Sequence, residues 1–572
     1  MLFYFLLGYK DDSGSVPSDK RSIISSLTTD KARYHPGEEV WFSCMTNASS
    51  GTITVTYYHL NKKIGKESIP IHEKGMQNWR WAPPSTDYKG YLAVVEFTGG
   101  ENHDRAAIGV DISSDWSKFP RYGFLTHFDV TDEVKMRETL AQLNRFHLNG
   151  LQFYDWHYEH QEPLKMIKGK PAEEWEDVSN RKIKLDSINQ YIKLSHERNM
   201  MAMGYNLLYG SFENRNDVSR EWHLFKDPDE GEIDQHPLPS GWKSSINIMN
   251  PTNPWWQEFL IDQQKAVYRN LDFDGWHIDQ LGNRGNVYNE LGDSIDLSES
   301  FLPFLTKIKE EISEKAIVMN AVNQYGQESI SASPVPFLYT EVWDPHNTYK
   351  DLQKLLYENH SISQGTKNTV LAAYMNYDHS EETGQFNESG VLLTNAVIFA
   401  NGGAHLELGE HMLSREYFPH DSLTISPSLR KKLIHYYDFL TAYENVLRDG
   451  IVKSEAELQT ESGLPLSSNG EKGTLWYTAR QKENSQILHF INLIDTDHTK
   501  WRDNDGSQPK ASKRKEIDLS LSTDREIKKL WLASPDIRGG EPITLPYNHN
   551  GHTLSFELPS IEYWDMVVIE FK

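Results

Sequence analysis

Phe273-Asp274-Gly275-Trp276-His277-Ile278-Asp279-Gln280 is the stretch on which the reading of this chain turns. A short apolar run bounded by turn formers reads as a buried strand, and the two-residue period of a strand sets Gly275, His277 and Asp279 on one face. Comparable runs recur near 123–129, 150–156, 200–206, 316–321, 337–343, 369–376 and 396–406. Helical spacing fills the intervals. Between Asp132 and His147 the apolar positions are Met136, Leu140, Leu143 and Phe146, and Leu185 to Arg198, Tyr349 to Glu358 and Ser426 to Leu447 read similarly. Such alternation specifies parallel βα units, and eight strands close a barrel, so an α/β chain built on a (β/α)8 TIM barrel is expected.

Chemistry in such a barrel sits where its strands end. With the Asp279 face inward, Asp279 stands at the mouth, while Asp274 near the strand start serves a turn or salt bridge. Phe337 to Trp343 places Tyr339, Glu341 and Trp343 on a common face, so Glu341 looks toward Asp279. Phe153-Tyr154-Asp155-Trp156-His157 brings Asp155 to the same layer.

A carboxylate pair about 5–5.5 Å apart cleaves glycosidic bonds with retention, and a wider pair with inversion. An aspartate beside polar His277 and Gln280 stays ionised, whereas a glutamate beside Tyr339 and Trp343 is pushed toward its protonated form. Asp279 is therefore expected as nucleophile and Glu341 as acid/base. For each carboxylate alone the alternative is a salt bridge or helix cap; three such strand ends in one barrel favour a shared site.

The residues expected to contact substrate are Asp155, Trp156, His157, Tyr205, Asn206, His277, Gln280, Asn320, Trp343, Asp344, Asn376, Tyr377 and Glu407, with His405 beside the last. Trp156 and Trp343 offer ring faces for sugars. The loop from about Gly210 to Asn250, carrying Trp222, His223 and Trp242, is long enough to belong to the binding site.

On either side the pattern turns to β. Residues 22–115 hold short alternating runs such as Thr52 to Tyr58 and Tyr91 to Phe97, and from about 450 similar runs return, as in Gln486 to Leu493 and Asp565 to Phe571. The expected domains are 1–20, a leader remnant; 21–117, a β-sandwich; 118–448, the barrel; and 449–572, a second all-β module. Arg502 to Lys515 reads as a polar, mobile loop.

The net charge of −24 opposes nucleic acid and anionic membranes, and 16 Trp with 28 Tyr suits sugar faces. The single Cys44 excludes a disulfide framework, and no run reaches the ~20 apolar residues of a membrane span. MLFYFLLG at 1–8 reads as an export-signal stump, with Tyr9 where a lipoprotein signal has cysteine. HExxH, GxSxG, Walker A and dinucleotide motifs are missing. Asp503-Asn504-Asp505-Gly506 departs from a calcium loop in its glycine and in Arg514 at the twelfth position. Neither metal nor cofactor is expected, and a monomer is.

GFLTHFDV (123–130), NRFHLNGLQFYDWHYEH (144–160), FDGWHIDQLG (273–282), MNAVNQYG (319–326) and FLYTEVWD (337–344) resemble glycoside hydrolase family 66, the dextranases and cycloisomaltooligosaccharide glucanotransferases. The resemblance runs over nearly the whole chain. It implies an immunoglobulin-like module, a barrel and a C-terminal Greek-key sandwich. It also implies Asp279 as nucleophile, Glu341 as acid/base, Asp155 as an important aspartate, and dextran or isomaltooligosaccharides as substrate for an exported bacterial enzyme, lipid-anchored in its precursor in one arrangement. The family's cyclising transferases carry an extra carbohydrate-binding module late in the barrel. Only about 50 residues separate the seventh strand from the last helix here, so hydrolysis is expected over cyclisation. A non-catalytic glucan-binding surface protein is a third reading, opposed by the intact carboxylate pair.

Overall fold

Eight short parallel strands carry the middle of the chain in the computed structural model, which describes residues 22–213, 215–229, 231–416 and 420–572. They are β1 (Tyr122–Leu125), β2 (Gly150–Phe153), β3 (Met201–Leu207), β4 (Gly275–Asp279), β5 (Ala316–Met319), β6 (Leu338–Glu341), β7 (Thr369–Ala372) and β8 (Gly403–Leu406). β1 to β5 form one sheet in the order 5-4-3-2-1, and β6 to β8 form another in the order 6-7-8. Isolated parallel bridges join their edges: Asn320 to Tyr339 on one side, Phe124 to Gly409 on the other. The expected leader, 1–20, lies outside the described residues.

Alternation decides what faces inward. Tyr122, Phe124, Met203, Val318, Tyr339, Val370, Ala372, Ala404 and Leu406 form one buried cluster between the two sheets. The His277 ring of β4 joins it, packed against Tyr122, Tyr205 and Tyr339.

The connections supply α1 (Glu133–Arg145), α2 (Leu185–His196), α3 (Pro254–Asn270), α4 (Phe301–Glu311), α5 (Gln327–Ala332), α6 (Tyr349–Ile362) and α7 (Glu388–Ala400), and α8 (Pro427–Ala442) follows β8. Their starts are chemically specified. Asp132 caps α1, Asn253 precedes Pro254 at α3, and Thr348 with Asp351 makes a capping box at α6.

α7 corrects one expectation: residues 396–400, read as strand, are helix, and β8 begins only at Gly403. Every residue from Ser389 to Ala400 is buried. The helix is covered by β8 and α6 on one side and by the C-terminal strands Ser485–Asn492 and Trp564–Phe571 on the other, so it shows no polar stripe.

Antiparallel sheets flank this unit. Ile24–Thr29, Val40–Thr46 and Gly75–Trp81 form one N-terminal sheet, and Gly51–His59, Lys62–Ile71, Lys89–Gly99 and Asn102–Ile112 another. Phe42, Val55, Val95 and Val110 lie in the core between them. The C-terminal sheets likewise enclose Leu488, Phe490, Leu519, Leu558 and Val567.

Arg502 to Lys515 is not a mobile loop. Arg502 O accepts from Asn376 N at 2.9 Å, Gln508 Nε2 donates to Tyr349 Oη at 3.1 Å, and the strand Arg514–Ser522 begins inside it. Arg502, Asp503 and Gln508 spend polar groups on the middle unit while Asn504, Asp505 and the lysines stay exposed, a division composition cannot reveal.

A buried charge cluster ties the N-terminal module to the middle one. Arg121, wholly buried, donates to Asp111 Oδ2 at 2.6 Å, Glu444 Oε2 at 3.1 Å and His147 O at 2.6 Å. Burial holds the Glu444 carboxyl well above the usual carboxylate range. Arg121→Met removes the guanidinium paired with Asp111 and leaves Glu444 with Arg448 at 3.8 Å, and is expected to cost ~3–5 kcal/mol in urea unfolding. Arg80→Met, at an exposed pair with Glu39, should leave the midpoint unchanged. Equal effects of the two would refute the junction's role.

Candidate active site

β4 ends in Asp279 and β6 in Glu341, and the residue just past β5, Asn320, lies between them. β4 approaches β5 closely because Gly275 has no side chain: a Cβ there would lie 2.3 Å from Ala316 O. Asn320 Nδ2 donates to Asp279 Oδ1 at 2.9 Å and to Glu341 Oε2 at 3.0 Å. Sharing one nitrogen at those distances, the two oxygens lie no more than 5.9 Å apart. That is below the ~6.5–9.5 Å separation of inverting pairs.

Each carboxyl has further donors. Asp279 accepts from Tyr205 Oη at 2.7 Å and from Gln280 N at 2.8 Å. Glu341 accepts from Tyr374 Oη at 2.6 Å, and its own N–H donates to Asn320 Oδ1 at 3.2 Å. Burial raises both carboxyls, but Tyr205, Asn320 and Gln280 work against it at Asp279. Glu341 is pushed up to about 7, first by burial and then by the charge of Asp279. Both are raised, and the three donors at Asp279 oppose the rise there more than the two at Glu341 do.

Asp155 lines the same cavity of about 200 Å³, together with Tyr154, His160, Tyr205, His236, Trp242, Gln280, Trp343 and Glu416. Burial pushes Asp155 up to about 7, opposed by Arg181 at 3.5 Å. Its backbone is left-handed, φ 51°.

That φ value has a consequence for the next two residues. A continuing strand would aim Trp156 and His157 by simple alternation, but the turn at Asp155 buries both. Trp156 packs on Phe273 and Trp175, and His157 lies against His160, so neither offers a ring to the mouth.

The remaining expected contacts divide. Tyr205, Gln280, Asn320 and Trp343 border the pair. His277 is buried one layer beneath it, held neutral by burial at about 3. Asn206 is turned into the wall, bonded to His160 O and Gln264. Asn376 ties to Asp503, while Tyr377 meets the edge of Trp343 and donates to Glu416. Asp344, exposed, borders a separate cavity of about 490 Å³ with Asp378, Lys500 and Arg502.

Glu407 is misplaced by the sequence reading. β8 turns Ala404 and Leu406 inward, so His405 and Glu407 face outward. There Glu407 accepts from Asn395 at 2.7 Å and Tyr437 at 2.9 Å, and burial pushes it up to about 8. In the long loop, Trp242 lines the cavity, while Trp222 packs on Phe259.

Tyr374, Tyr154, Arg181 and Glu416 were missed. For Tyr374 the signal existed, since period two carried on from Val370 and Ala372 reaches it. Arg181 arrives on a loop with no pattern. Among the described residues, His498, Asp503 and Asp505 could hold a metal ion, with one ligand atom each within 4.8 Å of the others. Asp503 already accepts from Ser507 N and Gln508 N.

A cycloisomaltooligosaccharide glucanotransferase of Niallia circulans is 27% identical over 718 residues, covering 98% of this chain and 73% of that protein. A dextranase of Streptococcus salivarius is 23% identical over 602 residues, covering 91% and 73%. The solved structure of a Paenibacillus sp. cycloisomaltooligosaccharide glucanotransferase, complexed with cycloisomaltoheptaose, matches with a TM-score of 0.89 at 24% identity, covering 96% of this chain and 99% of that one. That likeness is one of fold. Residues 29–568 match the family model described as Glycosyl hydrolase family 66, and the chain therefore belongs to glycosyl hydrolase family 66.

Proposed function

We propose that this chain cleaves α-1,6-linked glucan with retention, through a glycosyl-enzyme on Asp279 and with Glu341 as acid and then base. The observation that supports the reading is the Asn320 amide, which bonds an oxygen of each carboxyl and so favours the narrow spacing of retaining pairs. The scaffold we infer is a (β/α)8 barrel at 118–448, between an immunoglobulin-like sandwich at 21–117 and a β-sandwich at 449–572. The parallel bridges at both seams and the shared inward cluster support closure. Export suits a polymeric substrate, and we take the enzyme to act as a monomer. No helix among the described residues is long and apolar enough to cross a membrane.

In the first step Asp279 attacks the anomeric carbon while Glu341 gives its proton to the departing glycosidic oxygen. Tyr205 and Gln280 hold Asp279 ionised and aimed. Glu341, now a carboxylate, takes a proton from the acceptor hydroxyl, which attacks the same carbon from the vacated side as the bond to Asp279 breaks and Asp279 leaves as its carboxylate. Asp155 and Trp343 are inferred to bind sugar hydroxyls and a sugar face.

The acceptor decides the product. Relatives named as glucanotransferases are matched at higher identity than the dextranase, which favours the glucan's own terminal hydroxyl and a cyclic product. Water is the second reading. It is favoured by an alignment of 718 residues against a chain of 572, which means the relative carries segments missing here.

Chromatography of dextran digests tests both levels. Cyclic or linear isomaltooligosaccharides are expected from the wild type, none from Asp279→Asn, and kcat lower by ~10²–10⁴ for Glu341→Gln. Cyclic products establish transfer and linear ones hydrolysis, while no product from dextran would overturn the substrate.

Tyr374→Phe tests the proton assignment. The Tyr374 hydroxyl favours ionised Glu341, so its loss should keep the proton on to higher pH. The alkaline limb of the kcat/KM profile is expected to move upward. An unmoved limb, or a downward shift, would contradict Glu341 as the acid.

A further inference from the structure

The ladder joining β6 to β7 runs out at the pair Glu341 and Ala372, with one last bond from Val342 N to Ala372 O at 3.0 Å. Past it, the next free carbonyls of the two segments accept from a single guanidinium. Arg502 Nη2 donates to Val342 O at 2.9 Å and Nη1 to Tyr374 O at 3.3 Å. Arg502 is not part of this unit's own helices or strands. It comes from the segment between the C-terminal strands Ser485–Asn492 and Arg514–Ser522.

The guanidinium is also enclosed by rings. Its centre lies 4.9 Å from Trp343, 5.2 Å from Tyr377 and 4.6 Å from Trp501. The segment cannot drift away with it. Trp501 Nε1 donates to His346 O at 2.6 Å, and Thr394 Oγ1 donates to Trp501 O at 2.9 Å. The groups that Arg502 grips just past β6 and β7 adjoin one side chain: Val342 and Trp343 follow Glu341 in the chain, and Tyr374 donates to its Oε1.

We propose that Arg502 is a positioning residue for Glu341, clamping the ends of β6 and β7 so that Tyr374 and Trp343 present that carboxyl to the glycosidic oxygen. The proposal rests on the reading of Glu341 as the acid. Two carbonyls held from two nitrogens at once use the planar fork of donors of a guanidinium, which lysine lacks. The C-terminal module is then part of the catalytic apparatus, completing the acid half of the site while Asp279, on β4, is untouched by it.

The test exploits a leaving group that needs no proton. Dextran departs as an alkoxide unless Glu341 protonates it, whereas dinitrophenolate leaves unaided. Arg502→Met, Arg502→Lys and Glu341→Gln are compared with the wild type on dextran and in the pre-steady-state burst with 2,4-dinitrophenyl α-isomaltoside. For Arg502→Met, kcat on dextran is expected to fall about 10²-fold, the low end of what acid catalysis supplies, with the burst rate kept within about threefold. Arg502→Lys should fall between the wild type and Arg502→Met on dextran and spare the burst equally. A loss of folded protein or of general site geometry lowers both rates together, and that result would overturn the proposal, as would undiminished activity on dextran. If Glu341→Gln itself fails to spare the activated substrate, the acid assignment falls, and the proposal with it.

Discussion

One side-chain amide sets the terms for this molecule. Asn320 brings one oxygen of each of two half-buried carboxyls within 5.9 Å of the other. Two negative charges at that separation, out of water, repel strongly, so the pair is stable with one proton between them. Which carboxyl keeps it is decided by the donors around each. Three converge on Asp279 and two on Glu341, which burial and its neighbour's charge push up to about 7. The proposed division of labour, Asp279 as nucleophile and Glu341 as acid, rests on that asymmetry.

The rest of the fold serves to hold the strand ends where this asymmetry survives. Gly275 lets β4 close on β5, and the inward rings of Tyr122, His277 and Tyr339 floor the site with groups that burial keeps neutral. The flanking modules are attached by polar contacts made inside, not by linkers alone. Arg121 joins the N-terminal sheets to the last helices through two buried carboxyls. Arg502 performs the analogous task from the other end of the chain, at the mouth itself.

Much of this was legible in the sequence because strand alternation is a short-range rule. Asp279, Glu341, Tyr205 and Asn320 all sit on or next to strands whose inward face can be read two residues at a time. The rule fails where the backbone leaves the strand. Asp155 turns left-handed, and Trp156 and His157 follow it into the core. It fails again at α7, buried on all sides and so without a period, which blurred the start of β8 and put Glu407 on the wrong face. Arg502 was invisible for a different reason: its partners lie some 130 to 160 residues away, and a polar loop looks the same whether water or a carbonyl satisfies it.

The proposed retaining reaction, whether water or a sugar hydroxyl is the acceptor, depends on a covalent bond to Asp279. The most direct test is mass spectrometry of the protein after incubation with a slow-reacting fluorinated isomaltosyl fluoride, followed by peptide mapping. A single adduct of one fluorinated disaccharide on the peptide containing Asp279 is the predicted result. An adduct on another carboxylate, or no adduct together with products of inverted configuration, would contradict it.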